Sequence, residues 1–208
     1  MLKKTQPHII GIAGPSCSGK TALAKHLMEK LGQGNCSLIP LDSYYYDISH
    51  LSPREIEAHN YDLPDALEKN LLIKHIRTIA DGNEIDMPVY DYVTHRRSSK
   101  KILVKPAEFI LVEGLFVLYW EALRKVLSSK VFIMVNDSLC FKRRLVRDMK
   151  ERGVRREYVS KQYETMVRPM YEQFIKPTLK YADLIVNGED PIEKSSSNIM
   201  KKINKQQL

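Results

Sequence analysis

The chain has 208 residues, of which 43% are hydrophobic and 28% are charged, and its formal net charge is +8 at pH 7. This composition is typical of one globular domain and excludes a disordered, collagen-like or coiled-coil chain. The longest apolar stretch, Phe109 to Trp120, is interrupted by Glu113 and Gly114 and is too short and too polar to span a membrane.

Short apolar runs alternate with amphipathic segments in the first part of the chain. The run from Ile9 to Ala13 is too short for the core of a signal peptide, and it predicts a first strand over His8–Ala13. The pattern then predicts a helix over Thr21–Leu31, a strand over Ser37–Leu41 and a helix over Pro64–Ala80.

The second part of the chain opens with a predicted hairpin at about residues 85–105. Its arms are Ile85–Tyr92 and Lys101–Lys105, on either side of the polar stretch Thr94–Ser99. Further strands are predicted over Phe109–Val112, Val131–Val135 and Leu184–Val186. Helices are predicted over Ser138–Arg152 and Glu157–Phe174, the second kinked or split at Pro169.

Strands that alternate with helices indicate an α/β fold with a parallel sheet flanked by helices. We expect one domain over residues 1–190, followed by a loose helix or frayed tail over 191–208. The three cysteines, Cys17, Cys36 and Cys140, are odd in number and widely spaced, so the sequence predicts neither a disulfide framework nor a zinc site. This cysteine usage favours a cytoplasmic location.

A phosphate-binding loop is predicted between the first strand and the first helix. Eight residues match the pattern G-x-x-x-x-G-K-[ST]: Gly14, Pro15, Ser16, Cys17, Ser18, Gly19, Lys20 and Thr21. In such a loop the backbone N–H groups and the helix N-terminus face an anion. We expect Lys20 to reach the β- and γ-phosphates of ATP and the Thr21 hydroxyl to ligate Mg²⁺, with Cys17 as a small filler.

Two acidic residues follow predicted strands, where ligands bind in doubly wound sheets. Asp42 follows the strand that ends at Leu41, and Glu113 follows the strand that ends at Val112. A carboxylate beside a triphosphate can accept a proton from an attacking hydroxyl or hold Mg²⁺. We therefore assign Asp42 as the general base and a candidate metal ligand, and Glu113 to the metal.

The positive charge is concentrated in one predicted helix. Residues 142–156 contain eight basic and two acidic side chains, and so carry six of the eight net charges. A helical wheel places Phe141, Leu145 and Met149 on a core face and places Arg143, Arg144, Arg147 and Lys150 opposite. Because Arg152 and Gly153 end the helix, we expect a lid over about 142–158 whose arginines close on a triphosphate. A compact polyanion of this kind suits the local charge better than a nucleic acid does.

Several segments follow the pattern of a known family over about residues 8–187. They are Gly11–Thr21, Leu41–Tyr45, Asn60–Ala66, Pro88–His95, Glu113–Leu115, Arg143–Gly153, Gln162–Tyr163 and Ala182–Asp183. The chain therefore resembles the uridine kinases (uridine–cytidine kinases), within the phosphate-loop kinases that include phosphoribulokinase and pantothenate kinase. The Asn60–Ala66 and Tyr90–His95 segments are the most discriminating, because other phosphate-loop kinases do not share them.

The resemblance implies phosphoryl transfer from ATP to the 5′-hydroxyl of uridine or cytidine in pyrimidine salvage. It implies that Asp42 is the base and that Arg147 and Arg152 contact phosphates. The nucleoside-contacting residues that it implies are Tyr45, Asp62, Tyr90, Tyr92, His95, Arg144 and Gln162. GTP stays open as an alternative donor, and the resemblance also implies a homo-oligomer, commonly a tetramer.

The chemistry of these residues agrees with the implied roles. Asp62 and Arg144 together can read a ribose diol, which would exclude 2′-deoxy substrates. Tyr90 and Tyr92 offer aromatic faces to a pyrimidine, and His95 offers a donor or acceptor to the base edge. Two positions depart from the family pattern, with Leu63 where histidine is usual and Val154 where arginine is usual.

Three other functions stay open from the sequence. A related kinase could act on another alcohol, such as a sugar phosphate or pantothenate, and Arg96 and Arg97 of the hairpin leave room for a phosphorylated acceptor. A non-catalytic nucleotide-binding switch would hydrolyse its nucleotide without an acceptor, although the sequence contains no N-K-x-D motif to read guanine. A nucleic-acid-binding module would show steep salt dependence. We expect neither a nucleic acid nor a membrane as a partner.

Overall fold

The computed structural model describes residues 6–206. Within them the strands are β1 (His8–Ala13), β2 (Cys36–Pro40), β3 (Ile85–Asp91), β4 (Arg96–Val104), β5 (Phe109–Glu113), β6 (Ser129–Met134) and β7 (Leu184–Asn187). Five of these strands form one parallel sheet in the order β2-β5-β1-β6-β7, and β3 pairs with β4 as a separate antiparallel hairpin.

The α-helices cover both faces of the sheet. They are α1 (Lys20–Leu31), α2 (Pro53–Ala58), α3 (Lys69–Ala80), α4 (Glu121–Arg124), α5 (Asp137–Glu151), α6 (Arg156–Gln162), α7 (Arg168–Met170) and α8 (Ile192–Gln206). Helices α3 and α4 contribute to one buried apolar cluster, and α1 and α8 contribute to the other. The predicted α/β architecture is confirmed. Among residues 6–206, no helix is long and apolar enough to cross a membrane.

The register of the sheet brings three chain segments to one edge. Glu113, the last residue of β5, lies opposite Ile12 of β1 and Pro40 of β2. Since parallel strands point the same way, the loop after β1 and the turn after β2 both leave the sheet beside Glu113. The predicted phosphate loop, Asp42 and Glu113 therefore share the carboxyl edge of the sheet.

The predicted helix over Pro64–Ala80 is wrong at its start. Pro64–Ala66 form one 3₁₀ turn, the chain is extended at Leu67, and α3 begins only at Lys69. Leu67 forms a β-bridge with Tyr45, and the Glu68 backbone N–H donates to the Tyr44 carbonyl at 2.8 Å. Pairing with the segment after β2 thus replaces the first helical turn.

The hairpin turn is shorter than predicted. Strand β4 begins at Arg96, so most of the polar stretch assigned to the turn is strand. The Asp91 carboxylate accepts hydrogen bonds from the Val93 backbone N–H and the Thr94 hydroxyl, both at 2.8 Å. His95 ends the turn with a φ of 56°, in the left-handed region. The turn is held by a local side-chain acceptor, which hydropathy does not reveal.

The helical segment after α6 is continuous rather than split at Pro169. Two π-helical stretches, Tyr163–Val167 and Tyr171–Ile175, flank α7, and a 3₁₀ segment continues to Tyr181. The proline lies within α7, where the backbone keeps helical φ and ψ angles at Val167 and Tyr171. Proline has no backbone N–H to donate within the helix. The π-helical turns on either side of it adjust the hydrogen-bond pattern, so the helix continues through Pro169.

The C-terminal segment is a helix, which was one of the two expectations for it, and this helix is docked rather than loose or frayed. Ile199 and Ile203 of α8 are fully buried in the cluster that includes Leu23 and Leu27 of α1. Ser195 and Ser196 are also buried on this side of the helix. The apolar positions are too few to stand out in a lysine-rich sequence, yet they share one helical face.

Candidate functional site

The predicted phosphate loop joins β1 to α1 as expected. Gly19 has a φ of 97° at the start of α1, a conformation that favours glycine. A Cβ atom at Gly14 would lie 2.7 Å from the Ile133 carbonyl oxygen, so the close passage of the loop over β6 requires glycine there. The Lys20 side chain is largely buried, and its Nζ donates to the Pro15 carbonyl at 2.8 Å. The lysine is therefore held inside the curve of the loop.

A hydroxyl and a carboxylate meet at the end of this loop. The Thr21 hydroxyl donates to Glu113 Oε1 at 2.8 Å, and Glu113 is 4% exposed. Burial and the nearby Asp42 carboxylate raise the pKa of Glu113. Asp42 itself is exposed in the 3₁₀ turn after β2. Oxygen donors of this kind suit Mg²⁺, which is commonly held by one or two carboxylates together with substrate phosphates.

A cavity of about 720 Å³ opens above the loop. Its wall includes Ser16, Cys17, Gly19, Lys20, Thr21 and Glu113 at the sheet edge. Of the other predicted site residues, the wall includes Asp42, Tyr45, Asp62, Tyr92, His95, Arg144, Arg147, Arg152 and Gln162. The fold thus brings together residues from seven separate segments of the sequence.

Four predicted residues lie behind this wall. Gly14, Pro15 and Ser18 are buried within the loop. Tyr90 is also buried, and its ring lies 5.4 Å from that of Tyr45 and 5.2 Å from that of Tyr92. Tyr90 therefore supports the two aromatic rings that face the cavity.

The inner face of α5 differs from the helical-wheel prediction. Cys140, Arg144 and Asp148 are its buried residues, whereas Met149 of the expected core face is 45% exposed. The helix therefore turns a charged stripe toward the protein and the cavity. Side chains of Arg143 and Arg147 flank this stripe, whereas Lys150 is exposed.

Arg144 connects the phosphate loop to the opposite side of the cavity. Its Nη1 donates to Ser16 Oγ and its Nη2 donates to Gln162 Oε1, each at 3.0 Å. The same Nη1 lies 3.9 Å from Asp62 Oδ2. Burial raises the pKa of Asp62, and the positive charge of Arg144 only partly opposes that effect. An ion pair between two buried groups is costly unless a ligand or further hydrogen bonds complete it.

The aromatic side of the cavity carries an unpartnered hydroxyl. Within residues 6–206, the buried Tyr92 Oη has no hydrogen-bond partner. Burial and the Asp42 carboxylate raise the pKa of Tyr92. The guanidinium group of Arg152 lies over the Tyr92 ring, 4.8 Å from its centroid, and so links the end of α5 to the hairpin.

Several cavity residues were not assigned from the sequence. Helix α2 contributes Pro53, Ile56 and Glu57, and α6 contributes Tyr158. A single six-residue helix shows too little periodicity to indicate which side faces a ligand. Asp148 and Tyr61 lie inside segments that carry the family resemblance. The four-residue spacing of Arg144 and Asp148, which suits an ion pair on one helical face, was the signal that could have pointed to Asp148.

The two departures from the family pattern lie in different places. Val154 is part of the cavity wall, just beyond the end of α5. Leu63 is 37% exposed and lies outside that wall, next to the buried Asp62. Only the departure at residue 154 therefore changes a side chain that a ligand in the cavity would meet.

Comparison with known proteins gives consistent matches over nearly the whole chain. The model of the "Phosphoribulokinase / Uridine kinase family" matches residues 9–190. A uridine kinase of Lactobacillus johnsonii is 45% identical over 194 residues, which cover 92% of each chain. A uridine kinase of Halalkalibacterium halodurans is 44% identical over 181 residues, covering 87% of this chain and 86% of the relative.

Solved structures share the fold at lower identity. D-glycerate 3-kinase from Cryptococcus neoformans superposes with a TM-score of 0.66 at 18% identity, covering 89% of this chain and 88% of that chain. Phosphoribulokinase from Rhodobacter spheroides superposes with a TM-score of 0.65 at 13% identity, covering 88% of this chain and 70% of that chain. At these identities the likeness shows the fold alone.

Proposed function

Because this chain belongs to the phosphoribulokinase and uridine kinase family and is a phosphate-loop kinase, we propose that it transfers a phosphoryl group from ATP to the 5′-hydroxyl of uridine and cytidine. The products are UMP and CMP, so the role is pyrimidine nucleoside salvage. The relatives named uridine kinase support this choice of acceptor.

One structural observation carries the proposal. The Asp62–Arg144 pair, 3.9 Å apart, lies in the same cavity as Lys20 and Asp42. A carboxylate and a guanidinium offer an acceptor and donors to neighbouring hydroxyl groups, which is the chemistry of a ribose diol. The proposed diol-binding pair, the proposed base and the phosphate loop thus share one cavity, as phosphoryl transfer between a nucleotide and a nucleoside requires.

The residues divide the proposed reaction between them. Asp42 accepts the proton of the attacking 5′-hydroxyl. Lys20 with Arg147 and Arg152 stabilises the charge that spreads over the transferred phosphoryl oxygens. Thr21, Glu113 and Asp42 are the candidate ligands of Mg²⁺, which when bound supplies further neutralisation of phosphate charge. Although burial opposes the charged form, the neighbouring Cys17 and Asp148 raise the pKa of Arg147, so it stays cationic for this role.

The aromatic wall is assigned to the pyrimidine. Tyr45 and Tyr92 present ring faces in the cavity, and His95 presents an imidazole edge. Tyr90 acts here from behind, through its contacts with both tyrosines. We assign Gln162 to the ribose side because it is bonded to Arg144. We further propose that the enzyme works in a reducing compartment, since all three cysteines are free thiols, and that it forms a homo-oligomer.

The first experiment measures MgATP-dependent turnover with a panel of acceptors, with product mass read directly. The panel contains uridine, cytidine, 2′-deoxyuridine, adenosine, ribulose 5-phosphate and pantothenate. Product from uridine and cytidine, with little from 2′-deoxyuridine, is the expected result. Product from another acceptor alone would show that the enzyme phosphorylates a different alcohol. Nucleotide hydrolysis without any phosphorylated acceptor would indicate a nucleotide-binding switch.

A substitution tests the assignment of the base. Asp42→Asn should retain MgATP and uridine binding while turnover falls by about 100-fold or more, because the proton acceptor is lost. Asp47→Asn is the matched control, since that aspartate bonds Ser49 and the Arg97 backbone away from the cavity wall. Turnover of the Asp42 variant close to that of the wild type would contradict the assignment.

A further inference from the structure

Asp148 is a buried carboxylate that binds three arginines at once. It lies on the inner face of α5 and is 3% exposed. Its Oδ2 lies 3.2 Å from Nε of Arg144, and its Oδ1 lies 2.8 Å from Nε of Arg147. The same Oδ1 lies 3.5 Å from Nη1 of Arg152. All four side chains line the cavity above the phosphate loop.

A carboxylate in this position is electrostatically unexpected. A negative charge beside a triphosphate site repels the ligand, and a buried carboxylate is expensive to desolvate. Three guanidinium groups in one cluster, however, also repel one another and have many side-chain rotamers to lose. A single fixed anion between the three guanidinium groups reduces their mutual repulsion and restricts their rotamers before the ligand binds.

The geometry of the contacts preserves the donors of the lid. Asp148 binds Arg147 through Nε, so this contact does not use the two Nη nitrogens of that side chain. Its Oδ2 lies at ion-pair distance from Nε of Arg144, without a hydrogen bond at that nitrogen, while Nη1 and Nη2 of Arg144 donate to Ser16 and Gln162. The carboxylate therefore contacts Arg144 and Arg147 at Nε and leaves their Nη nitrogens out of these contacts, whereas it contacts Arg152 through Nη1.

The arginines connect Asp148 to both ends of the cavity. Arg144 reaches Ser16 of the phosphate loop and lies 3.9 Å from Asp62. Arg152 stacks on Tyr92 of the hairpin. One anion thus lies at the centre of contacts that reach the nucleotide end, the acceptor end and the lid.

We propose that Asp148 is a positioning residue for phosphoryl transfer, which holds Arg147 and Arg152 oriented toward the transferring group and holds Arg144 between donor and acceptor. This inference rests on the proposed kinase reaction, although it does not depend on which alcohol accepts the phosphoryl group. Preorganised donors cost no reorientation when charge develops, and this is where most electrostatic catalysis arises.

A purely structural role makes a different prediction. The Asp148 backbone carbonyl accepts hydrogen bonds from the Arg152 and Val154 N–H groups, and these bonds do not involve the carboxylate. If the carboxylate only stabilised the end of α5, its loss would lower the melting temperature and leave the kcat of the folded enzyme unchanged. The positioning role predicts a change in kcat that is separate from nucleotide affinity.

The test compares Asp148→Asn with the wild type in kcat, KM and direct MgATP binding. The asparagine keeps the volume and removes the charge, so kcat should fall by about 10- to 100-fold. MgATP affinity should stay within a few-fold of wild type or increase, because a repelling charge is gone. Glu151→Gln is the matched control, since it removes one exposed negative charge from the same helix and should leave kcat within about twofold.

A second pair of variants tests whether the effect passes through the arginines. Adding Asp148→Asn to Arg147→Gln should lower kcat far less than adding it to the wild type, because the group to be positioned is already absent. Full additivity would overturn the proposal, as would a kcat of Asp148→Asn within twofold of wild type. Should the asparagine variant not fold, Asp148→Glu keeps the charge and displaces it by one methylene, and the same fall in kcat at retained MgATP affinity is expected.

The outcome is distinguishable from failure of the proposed function. Wild-type product formation with the acceptor panel is measured in parallel. If uridine and cytidine give no product, the proposed acceptor is wrong, and the ratio of variant to wild-type kcat is then read with whichever acceptor the wild type uses. If the kcat of Asp148→Asn with that acceptor is within twofold of the wild-type kcat, the positioning role itself is overturned.

Discussion

The Tyr61 hydroxyl lies 2.6 Å from Nδ1 of His95, and the two rings stack with their centroids 5.4 Å apart. Burial, together with the charge of Arg152, lowers the pKa of His95, so the neutral imidazole is favoured at pH 7. When Tyr61 donates to Nδ1, that neutral ring carries its proton on Nε2. Tyr61 thus influences which atom His95 presents as a donor in the cavity.

Tyr61→Phe is therefore expected to weaken nucleoside binding. Loss of one hydrogen bond to His95 should raise the KM for uridine by about 3- to 10-fold, with little change in the KM for MgATP. Steady-state kinetics with each substrate varied in turn measures the split. Tyr181→Phe, which removes an exposed hydroxyl outside the cavity wall, is the control and should change neither constant. An unchanged uridine KM in Tyr61→Phe would contradict the role.

The buried Asp62 predicts a pH-dependent gain in stability on substitution. Burial raises the pKa of Asp62, so the ionised carboxylate destabilises the ligand-free folded state at pH values above that pKa. Asp62→Asn should therefore increase the melting temperature at pH 7–8 while abolishing nucleoside binding. The gain should shrink as the pH falls and the wild-type carboxyl takes up its proton.

Thermal unfolding of ligand-free protein between pH 4 and pH 8 measures this dependence. Each kcal/mol of change in the free energy of unfolding shifts the melting temperature by about 2–4 °C in a protein of this size. Asp65→Asn, at an exposed position nearby, is the control and should show no such pH-dependent difference. An Asp62→Asn variant that is less stable than the wild type at pH 8 would show that the pair with Arg144 outweighs the cost of burial.

The strands of the parallel sheet could be predicted from the sequence to within one or two residues, whereas β4 begins five residues before its predicted start and α5 could not be oriented. Buried parallel strands are continuous apolar runs, so Phe109–Glu113 stands out without any tertiary information. On α5, by contrast, the wheel assumes that apolar residues face inward, whereas Arg144 and Asp148 are buried because they neutralise each other. Because the two charged residues form an ion pair across one helical turn, they are buried at positions where a helical wheel expects exposed residues.

Residues within the cavity were predictable where a motif fixed them in sequence. The phosphate loop, Asp42 and Glu113 follow from strand ends, because a parallel sheet collects those ends at one edge. Tyr90 and Tyr92 were expected to face the ligand together, as residues two apart in a strand do. Strand β3 ends at Asp91, so Tyr92 belongs to the turn and faces the cavity while Tyr90 packs behind it.

Gly114→Ala is expected to disturb both carboxylates at the sheet edge. A Cβ atom at residue 114 would lie 2.5 Å from Leu41 Cβ. Leu41 precedes Asp42 in the chain and residue 114 follows Glu113, so the clash would displace the backbone beside both carboxylates. Overpacking of this kind should cost about 1–3 kcal/mol and lower kcat. At Gly34 the added Cβ meets nothing within 4 Å, so Gly34→Ala should stay within about 0.5 kcal/mol. Urea unfolding compares the two, and equal effects would contradict the prediction.

Ile203→Ala is expected to destabilise the protein without altering catalysis. Ile203 is 1% exposed against the cluster shared with α1, so the cavity that its truncation leaves should cost about 2–5 kcal/mol. The side chain lies outside the wall of the cavity above the phosphate loop, so kcat at 25 °C should stay within about twofold. Lys201→Ala, exposed on the same helix, is the control for urea unfolding. A loss below about 1 kcal/mol for Ile203→Ala would indicate that α8 is not firmly docked.

The hairpin of β3 and β4 forms its own two-stranded sheet and meets the turn after β2 through Arg97, which donates to the Tyr44 and Tyr45 carbonyls. Its side chains form part of one end of the cavity, whereas the central sheet forms the phosphate end. Under the proposed function, we expect substitutions at the exposed turn of this hairpin to change the choice of alcohol while the phosphate loop stays intact. Acceptor choice and phosphate binding would then be separable by substitutions in two different parts of the fold.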